Sequence, residues 1–292
     1  MKIQTMSVIA GTEVCNARCP FCVSGMTADH SIGTKLTPIN KRNLSKAFSL
    51  ANKSSVTTVL ITGKGEPTLF PEHIETYLQM ASKYDFPFIE LQTNGIPIAE
   101  DKISDDTLRL WYDYGLTTII ISVVSYMSEV NRKVYLPYKK EYIDLEALIE
   151  KLHNIGFIVR LGVVGIAEGI GNLYELDEML SFARRNKVEQ LTLRPVTKTD
   201  TEFSRNTDIN SWIEENGLKK ADWDIIAKSV KSRGVLLNKL VHGAEVYDIK
   251  GQNICISSCL TIDPNEEMLR QIIFFPNGRL TYDWTHKGAI LL

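Results

Sequence analysis

Hydrophobic positions along this chain switch between two periods. Continuous or alternating apolar runs rich in β-branched residues fall at about 7–14, 57–62, 88–93, 117–124, 158–166 and 190–196, and such runs predict strands. Between them the spacing turns helical. Leu44, Ala47, Phe48 and Ala51 sit at i, i+3, i+4 and i+7, as do Ile74, Tyr77, Leu78 and Ala81, and then Leu145, Leu148, Ile149 and Leu152. Each set is one face to bury. Pro71 stands where a first helical turn tolerates proline, Gly156 follows the helix that begins near Asp144, and Met179, Leu180 and Ala183 line a helix after strand five. The expected order is (βα)6.

Strands alternating with helices predict a parallel sheet, and strands this apolar suit burial on both faces. An open doubly wound sheet meets that description too. Strand three favours a partial barrel, because Glu90, Gln92 and Asn94 share one face while Ile89 and Leu91 share the other. In a barrel, such a polar face lines the lumen and the reactive groups gather at the C-terminal rim of the strands. On an edge strand the same residues would simply meet solvent. The expected fold is therefore α/β, a partial (βα)6 TIM-type barrel over residues 1–197, with 198–292 as a C-terminal extension or cap packed on it. Within the extension, 198–210 reads as polar and turn-like, two short helical stretches follow at about 209–217 and 222–234, and 243–253 reads as loop. Ile272 to Phe275, Pro276-Asn277-Gly278 and Leu280 to Trp284 then predict a hairpin, since Asn-Gly accepts the positive φ angles of a tight turn. No internal repeat and no Gly/Ser linker separates the parts.

The 292 residues carry 33 Lys+Arg against 35 Asp+Glu and are 44% hydrophobic. A chain of this length buries roughly three quarters of its unfolded surface, which excludes a disulfide-stapled mini-protein or a disordered tail. A formal charge of -2 gives no global attraction to a nucleic-acid backbone, so no polymer partner is expected. The first ten residues are too short and polar for a secretory apolar region, and no apolar run approaches the roughly 18 residues of a membrane span. A cytoplasmic protein with no membrane partner is expected.

Three of the five cysteines lie within eight residues, in Cys15-Asn16-Ala17-Arg18-Cys19-Pro20-Phe21-Cys22. Disulfides are rare in a reducing cytosol, so metal chemistry explains this C-x3-C-x2-C cluster better than pairing does. A closed zinc site wants four ligands, and His30 would complete a Cys3His set. A [4Fe-4S] cube held by three thiolates instead leaves one iron without a protein ligand, open to a substrate or cofactor that can receive an electron there.

The cysteine loop follows the first strand and carries an aromatic residue, Phe21, just before its third cysteine. In this it resembles the signature of the radical S-adenosylmethionine (radical SAM) superfamily, and the strand order over residues 7–196 is similar to that family's core. The resemblance implies that Cys15, Cys19 and Cys22 are the metal ligands and catalytic centre, with S-adenosylmethionine chelating the fourth iron. One electron would then cleave the sulfonium to a 5'-deoxyadenosyl radical, which takes a hydrogen atom from substrate. It also implies an electron donor such as flavodoxin or ferredoxin. The segment Gly63-Lys64-Gly65-Glu66-Pro67 is similar to the family's G-G-E-P motif, which implies that Gly65 and Glu66 hold the methionine ammonium; the usual first glycine is replaced by Lys64, which is assigned to the substrate side. By the same resemblance Phe21, Asn94, Ser122, Val164 and Arg194 are cofactor-binding candidates at the loop and at the ends of strands three to six.

For the substrate, Lys64, Glu90, Gln92, Arg160 and Asp283, with Tyr126 and Trp284 near them, would form hydrogen-bonding groups beside aromatic faces, suited to a polar heterocycle or nucleoside. Loop 23–36, containing Met26, His30 and Gly33, is placed to close over it. Cys255 and Cys259 are too few for a second cluster and read as buried thiols. The expected function is a radical SAM enzyme on a small polar substrate, with a lyase acting on a deazapurine nucleoside, queuosine, to release queuine as the specific candidate. An activase or peptide-modifying maturase and a non-enzymatic Cys3His zinc module are the alternatives.

Overall fold

Strands β1 (Lys2–Ile9), β2 (Thr58–Thr62), β3 (Phe88–Thr93), β4 (Thr118–Val123), β5 (Ile158–Gly165) and β6 (Gln190–Pro195) lie side by side in chain order and run parallel. The computed structural model describes residues 2–27, 30–198, 207–240, 243–257, 268–284 and 286–292. Helices α1 (Val23–Met26) and α2 (Lys41–Lys53) follow β1, and α3 (Pro71–Ala81) follows β2. After β3 come α4 (Ile96–Ala99) and α5 (Asp105–Asp113), after β4 come α6 (Ser128–Tyr135) and α7 (Leu145–Ile155), and α8 (Leu173–Arg185) leads into β6. The chain continues through α9 (Thr207–Asn216) and α10 (Lys220–Arg233) to β7 (Val235–Lys239), β8 (Glu245–Ile249), β9 (Gln252–Ile256), β10 (Met268–Phe274) and β11 (Leu280–Thr281). The architecture is the α/β partial barrel that the sequence predicts, with a mostly parallel sheet that does not close.

The helices form where their caps and apolar faces agree. Asn40, Ser104, Asp144 and Asn172 each accept a backbone N–H of the following first turn, and Gly156, at φ 115°, ends α7 in a left-handed cap. The predicted faces of α2, α3 and α7 are all buried. They cover one face of the sheet, made of Met6 and Val8, Val59 and Ile61, Ile89 and Leu91, Ile119 and Ile121, Val159 and Leu161, and Leu191 and Leu193. Each such side chain contributes about 1.5–3 kcal/mol on burial.

Later strands extend both edges of this core: β10 pairs in parallel with β1 and carries antiparallel β11, while β9 pairs in parallel with β6 and carries antiparallel β8 and then β7. Two expectations change here. The first strand runs from Lys2 and stops at Ile9, because its polar residue Thr5 lies between Gln271 and Thr58 of the two neighbouring strands and because Gly11, at φ 74°, turns the chain away. The segment 243–253 is not loop. It holds most of the β8–β9 hairpin, turned at Lys250 and Gly251 with φ 52° and 83°, a tight turn written with Lys-Gly where Asn-Gly is the stronger signal. The Asn277-Gly278 hairpin forms, with its second strand reduced to Leu280 and Thr281. Among the described residues, no helix is long and apolar enough to cross a membrane.

Candidate active site

The cysteine loop begins where Gly11 passes under α3. A side chain at Gly11 would place its Cβ 1.9 Å from the Phe70 ring, and the Gly11 N–H donates to His73 Nδ1 at 3.1 Å. Thr12 Oγ1 accepts the Val14 N–H, Cys15 Sγ accepts the Ala17 N–H at 3.4 Å, and the N–H groups of Cys22 and Gly25 bond to the carbonyls of Cys19 and Cys22. Cys15 and Cys19 are half-buried and Cys22 is exposed. Burial pushes the Cys15 thiol up to about 11, and it pushes Cys19 up further, where the nearby Cys22 and Cys15 charges add to the effect. Thiols whose ionisation burial and neighbouring sulfur make costly suit a cationic centre, as Cys15 and Cys19 do, and sulfur donors select soft metals. Among the described residues, no three His, Cys, Asp or Glu side chains gather on a single-ion site. A cube makes a different demand, since each thiolate takes its own iron. His30 faces elsewhere: its Nε2 donates to the Trp284 carbonyl at 3.0 Å and its ring stacks on Phe275 with centroids 4.5 Å apart.

Behind the cysteines, one carboxylate organises the rim. Glu66 is 3% exposed; its Oε1 accepts from Thr68 N (2.9 Å), Thr68 Oγ1 (2.6 Å) and Thr93 Oγ1 (2.6 Å), and its Oε2 from Asn94 N (2.9 Å). Burial pushes the Glu66 carboxyl above its ordinary range, against the pull of these four donors. Asn94 carries the link onward, because its Nδ2 donates to Asn16 Oδ1 at 2.7 Å and lies 4.0 Å from Cys15 Sγ. Gly65 lets the two segments meet: the Glu66 N–H donates to the Val14 carbonyl at 3.1 Å, and a Cβ at position 65 would fall 2.0 Å from that same oxygen. Gly65→Ala is therefore expected to displace the cysteine loop, lowering unfolding free energy by about 1–3 kcal/mol and reducing iron retention. Urea unfolding and iron analysis check this; an unchanged iron content would contradict it.

Lys64, in place of the motif's glycine, is 3% exposed and donates to Thr27 Oγ1 at 2.6 Å and the Ser24 carbonyl at 3.3 Å. Burial pushes its ammonium down to about 8. The structure thus sets this side chain as a clip on α1 and the residues after the third cysteine. Asp283 also engages the chain itself, its Oδ1 accepting the His286 N–H at 2.7 Å and lying 2.9 Å from His286 Nδ1.

The remaining polar candidates share the inner sheet face. Strand register aligns Glu90 and Gln92 on β3, Ser122 on β4, Arg160 and Val164 on β5, Thr192 and Arg194 on β6, and Asn253 and Cys255 on β9. Arg160 Nη1 bonds Glu90 Oε1 at 2.8 Å, and Gln190 Nε2 donates to Asn253 Oδ1 at 2.8 Å. Cys255 is buried as expected, and the guanidinium groups of Arg160 and Arg194 oppose the upward push of burial on its thiol. Cys259, residues 28–29 of the loop 23–36 and residues 199–206 lie outside the described residues. Phe21 is buried between Tyr135 and Trp212, with ring centroids 6.5 and 5.6 Å away.

What the sequence did not reveal is the segment that cradles the cysteine loop from α6 onward. The Arg18 N–H donates to the Tyr135 carbonyl at 2.9 Å, Tyr138 donates its hydroxyl to the Asn16 carbonyl, and the Arg18 guanidinium lies 5.9 Å from the centre of the Tyr138 ring. A run of tyrosines after a helix carries no motif, and only its clustering between 135 and 142 could have signalled a role.

His73 ties the start of the cysteine loop to α3 and His30 ties its own segment to the C-terminal hairpin, and burial lowers the pKa of both. The unfolded chain therefore binds more protons than the folded one once pH falls below the ordinary histidine value of roughly 6.5. Their contribution is complete above that value and lost as pH descends toward the folded pKa values. The cluster-free chain should unfold at lower urea at pH 5.5 than at pH 7.5; equal midpoints would contradict this.

Comparison with known proteins agrees with the geometry. The family model described as the radical SAM superfamily matches residues 9–183. GTP 3',8-cyclase of Helicobacter pylori is 25% identical over 229 residues, covering 78% of this chain and 64% of that protein. GTP 3',8-cyclase of Edwardsiella ictaluri is 33% identical over 116 residues, covering 39% of this chain and 32% of that protein. The chain thus spans less than two thirds of the length of either relative. Among solved structures, Streptococcus suis SuiB bound to S-adenosylmethionine aligns with a TM-score of 0.63 at 14% identity, covering 97% of this chain and 60% of that one, which is a likeness of fold.

Proposed function

The chain belongs to the radical SAM superfamily, and from that premise we propose that it takes a hydrogen atom from a small polar nucleoside or nucleotide held on the inner sheet face. Membership brings a [4Fe-4S] cluster and S-adenosylmethionine as cofactors and the need for a reductant. Together, when bound, they supply a 5'-deoxyadenosyl radical. In this reading Cys15, Cys19 and Cys22 hold the cluster, while Gly65, Glu66 and Asn94 shape the adjoining rim where the methionine part of the cofactor binds. Phe21, Ser122, Val164 and Arg194 complete the cofactor's surroundings, Phe21 by packing beneath the loop. Flavodoxin or ferredoxin is the proposed electron donor.

The observation that carries the substrate class is the inner face itself, where Glu90, Gln92, Arg160, Thr192 and Asn253 place polar side chains on four strands, Arg160 bonding Glu90 and Thr192. Such a face suits the edge of a purine-like ring better than a lipid or an apolar side chain. The specific reaction proposed is lyase cleavage of queuosine with release of queuine. The names of the cyclase relatives favour a second reading, guanosine triphosphate as substrate.

Anaerobically reconstituted protein, dithionite and S-adenosylmethionine should be incubated with each compound separately, following products by mass spectrometry. Free queuine together with 5'-deoxyadenosine supports the lyase, and a cyclised guanine nucleotide supports the second reading. If 5'-deoxyadenosine forms at the same rate with either compound or none, and neither compound is altered, both substrate readings fall while the radical chemistry stands.

A further inference from the structure

Tyr135 lies against the cysteine loop, its ring 6.5 Å from that of Phe21, and Tyr142 packs beside it with ring centroids 6.3 Å apart. Tyr138 between them satisfies its hydroxyl on the Asn16 carbonyl, yet the hydroxyl oxygens of Tyr135 and Tyr142 are buried and neither has a hydrogen-bond partner. Tyr135 is only 2% exposed, so solvent does not supply the missing acceptor. Folded proteins leave few buried hydroxyls in this state, because such a group loses its water and gains nothing in return. Two of them side by side ask for a common cause.

That cause lies in the direction of the cysteine loop. The Tyr135 ring meets Phe21 edge to face and the Tyr135 carbonyl accepts the Arg18 N–H at 2.9 Å, so the paired phenols sit beside the residues that flank Cys19. A thiolate or sulfide is an acceptor for which an O–H is a suitable donor, and hydrogen bonds to cluster sulfurs are among the factors that set reduction potential. We propose that the Tyr135 and Tyr142 hydroxyls donate to sulfur on the Cys19 side of the [4Fe-4S] cluster and so set how readily it accepts its electron. Both are positioning residues for the cofactor. The proposal rests on the cluster assignment and is independent of which substrate is bound.

The donors stabilise the reduced, more negative cluster more than the oxidised one. Tyr135→Phe and Tyr142→Phe should therefore each lower the reduction potential of the reconstituted holoenzyme, and the double variant should lower it most, at unchanged iron content. A redox titration followed by electron paramagnetic resonance reads this directly, a tenfold change in the one-electron equilibrium being about 59 mV. A second measurement has the opposite sign in the two forms of the protein. Without the cluster, Tyr135→Phe removes an unpartnered hydroxyl and should raise the urea midpoint; with the cluster it removes a hydrogen bond and should lower it. A double variant with full iron and the wild-type potential overturns the proposal, as does a midpoint shift of the same sign in both forms. A wild type that takes up no iron overturns the cluster assignment, and the proposal with it.

Discussion

Cys19→Ala is expected to empty the iron site and reduce formation of 5'-deoxyadenosine to background. In the proposed site each cysteine would supply the single protein bond to one iron, so loss of one would leave two irons without a side chain and two thiolates to hold four metals. Burial pushes the Cys19 thiol up further than that of Cys15, so in the proposed site its ionisation would lean more on a bound metal. The loss should exceed the roughly 10–100-fold effect of removing a residue that only supports a metal site. Iron and sulfide analysis after anaerobic reconstitution, with product measured in parallel, decides the matter. Wild-type rates from iron-free Cys19→Ala would remove these cysteines from the chemistry.

Glu66→Ala should act differently, weakening S-adenosylmethionine binding by roughly 10–100-fold, the value of one hydrogen bond to a charged group, while most of the iron stays. It should also destabilise the chain. Thr68 N, Thr68 Oγ1, Thr93 Oγ1 and Asn94 N all lose their acceptor in a site that excludes solvent. Water entering the gap recovers part of that loss, leaving a net destabilisation on the order of 2–4 kcal/mol. Glu66→Gln separates the two effects, since its carbonyl can retain the three bonds to Oε1 while the charge is gone. Calorimetric titration of the reconstituted variants with S-adenosylmethionine gives the affinity, and urea unfolding the stability. An alanine variant that binds the cofactor as tightly as wild type would leave Glu66 as a purely structural hub.

How much of this could be read beforehand depended on whether the information was local. The six parallel strands and the buried faces of α2, α3 and α7 follow from periodicity, because burial selects apolar residues at the spacing of the element itself. The β8–β9 hairpin did not, since Glu245, Asp248, Gln252 and Asn253 make it polar and its pairing with β6 is a tertiary fact. At the site, Cys15, Cys19 and Cys22 announce themselves by spacing, and Glu66 by its glycine neighbours. The bond of Lys64 to Thr27 was beyond a motif position to show, since it crosses 37 positions of sequence. Asp283 bonds closer by, its Oδ1 accepting the N–H of His286, three residues on. Tyr135 and Tyr138 stayed hidden because nothing in their spacing tells that they bond to Arg18 and Asn16.

The pairing of β1 with β10 bears on how the protein is made. Lys2 lies opposite Met268 and Val8 opposite Phe274, so the strand that launches the cysteine loop obtains its second neighbour only after roughly 260 further residues have been synthesised. Until then a nascent chain presents one raw edge of β1, a template for mispairing with other chains. Contacts so distant in sequence also form slowly. The cysteine loop thus gains its full support only once β10 is in place, and shortening the chain before residue 268 should destabilise β1 and the loop that follows it.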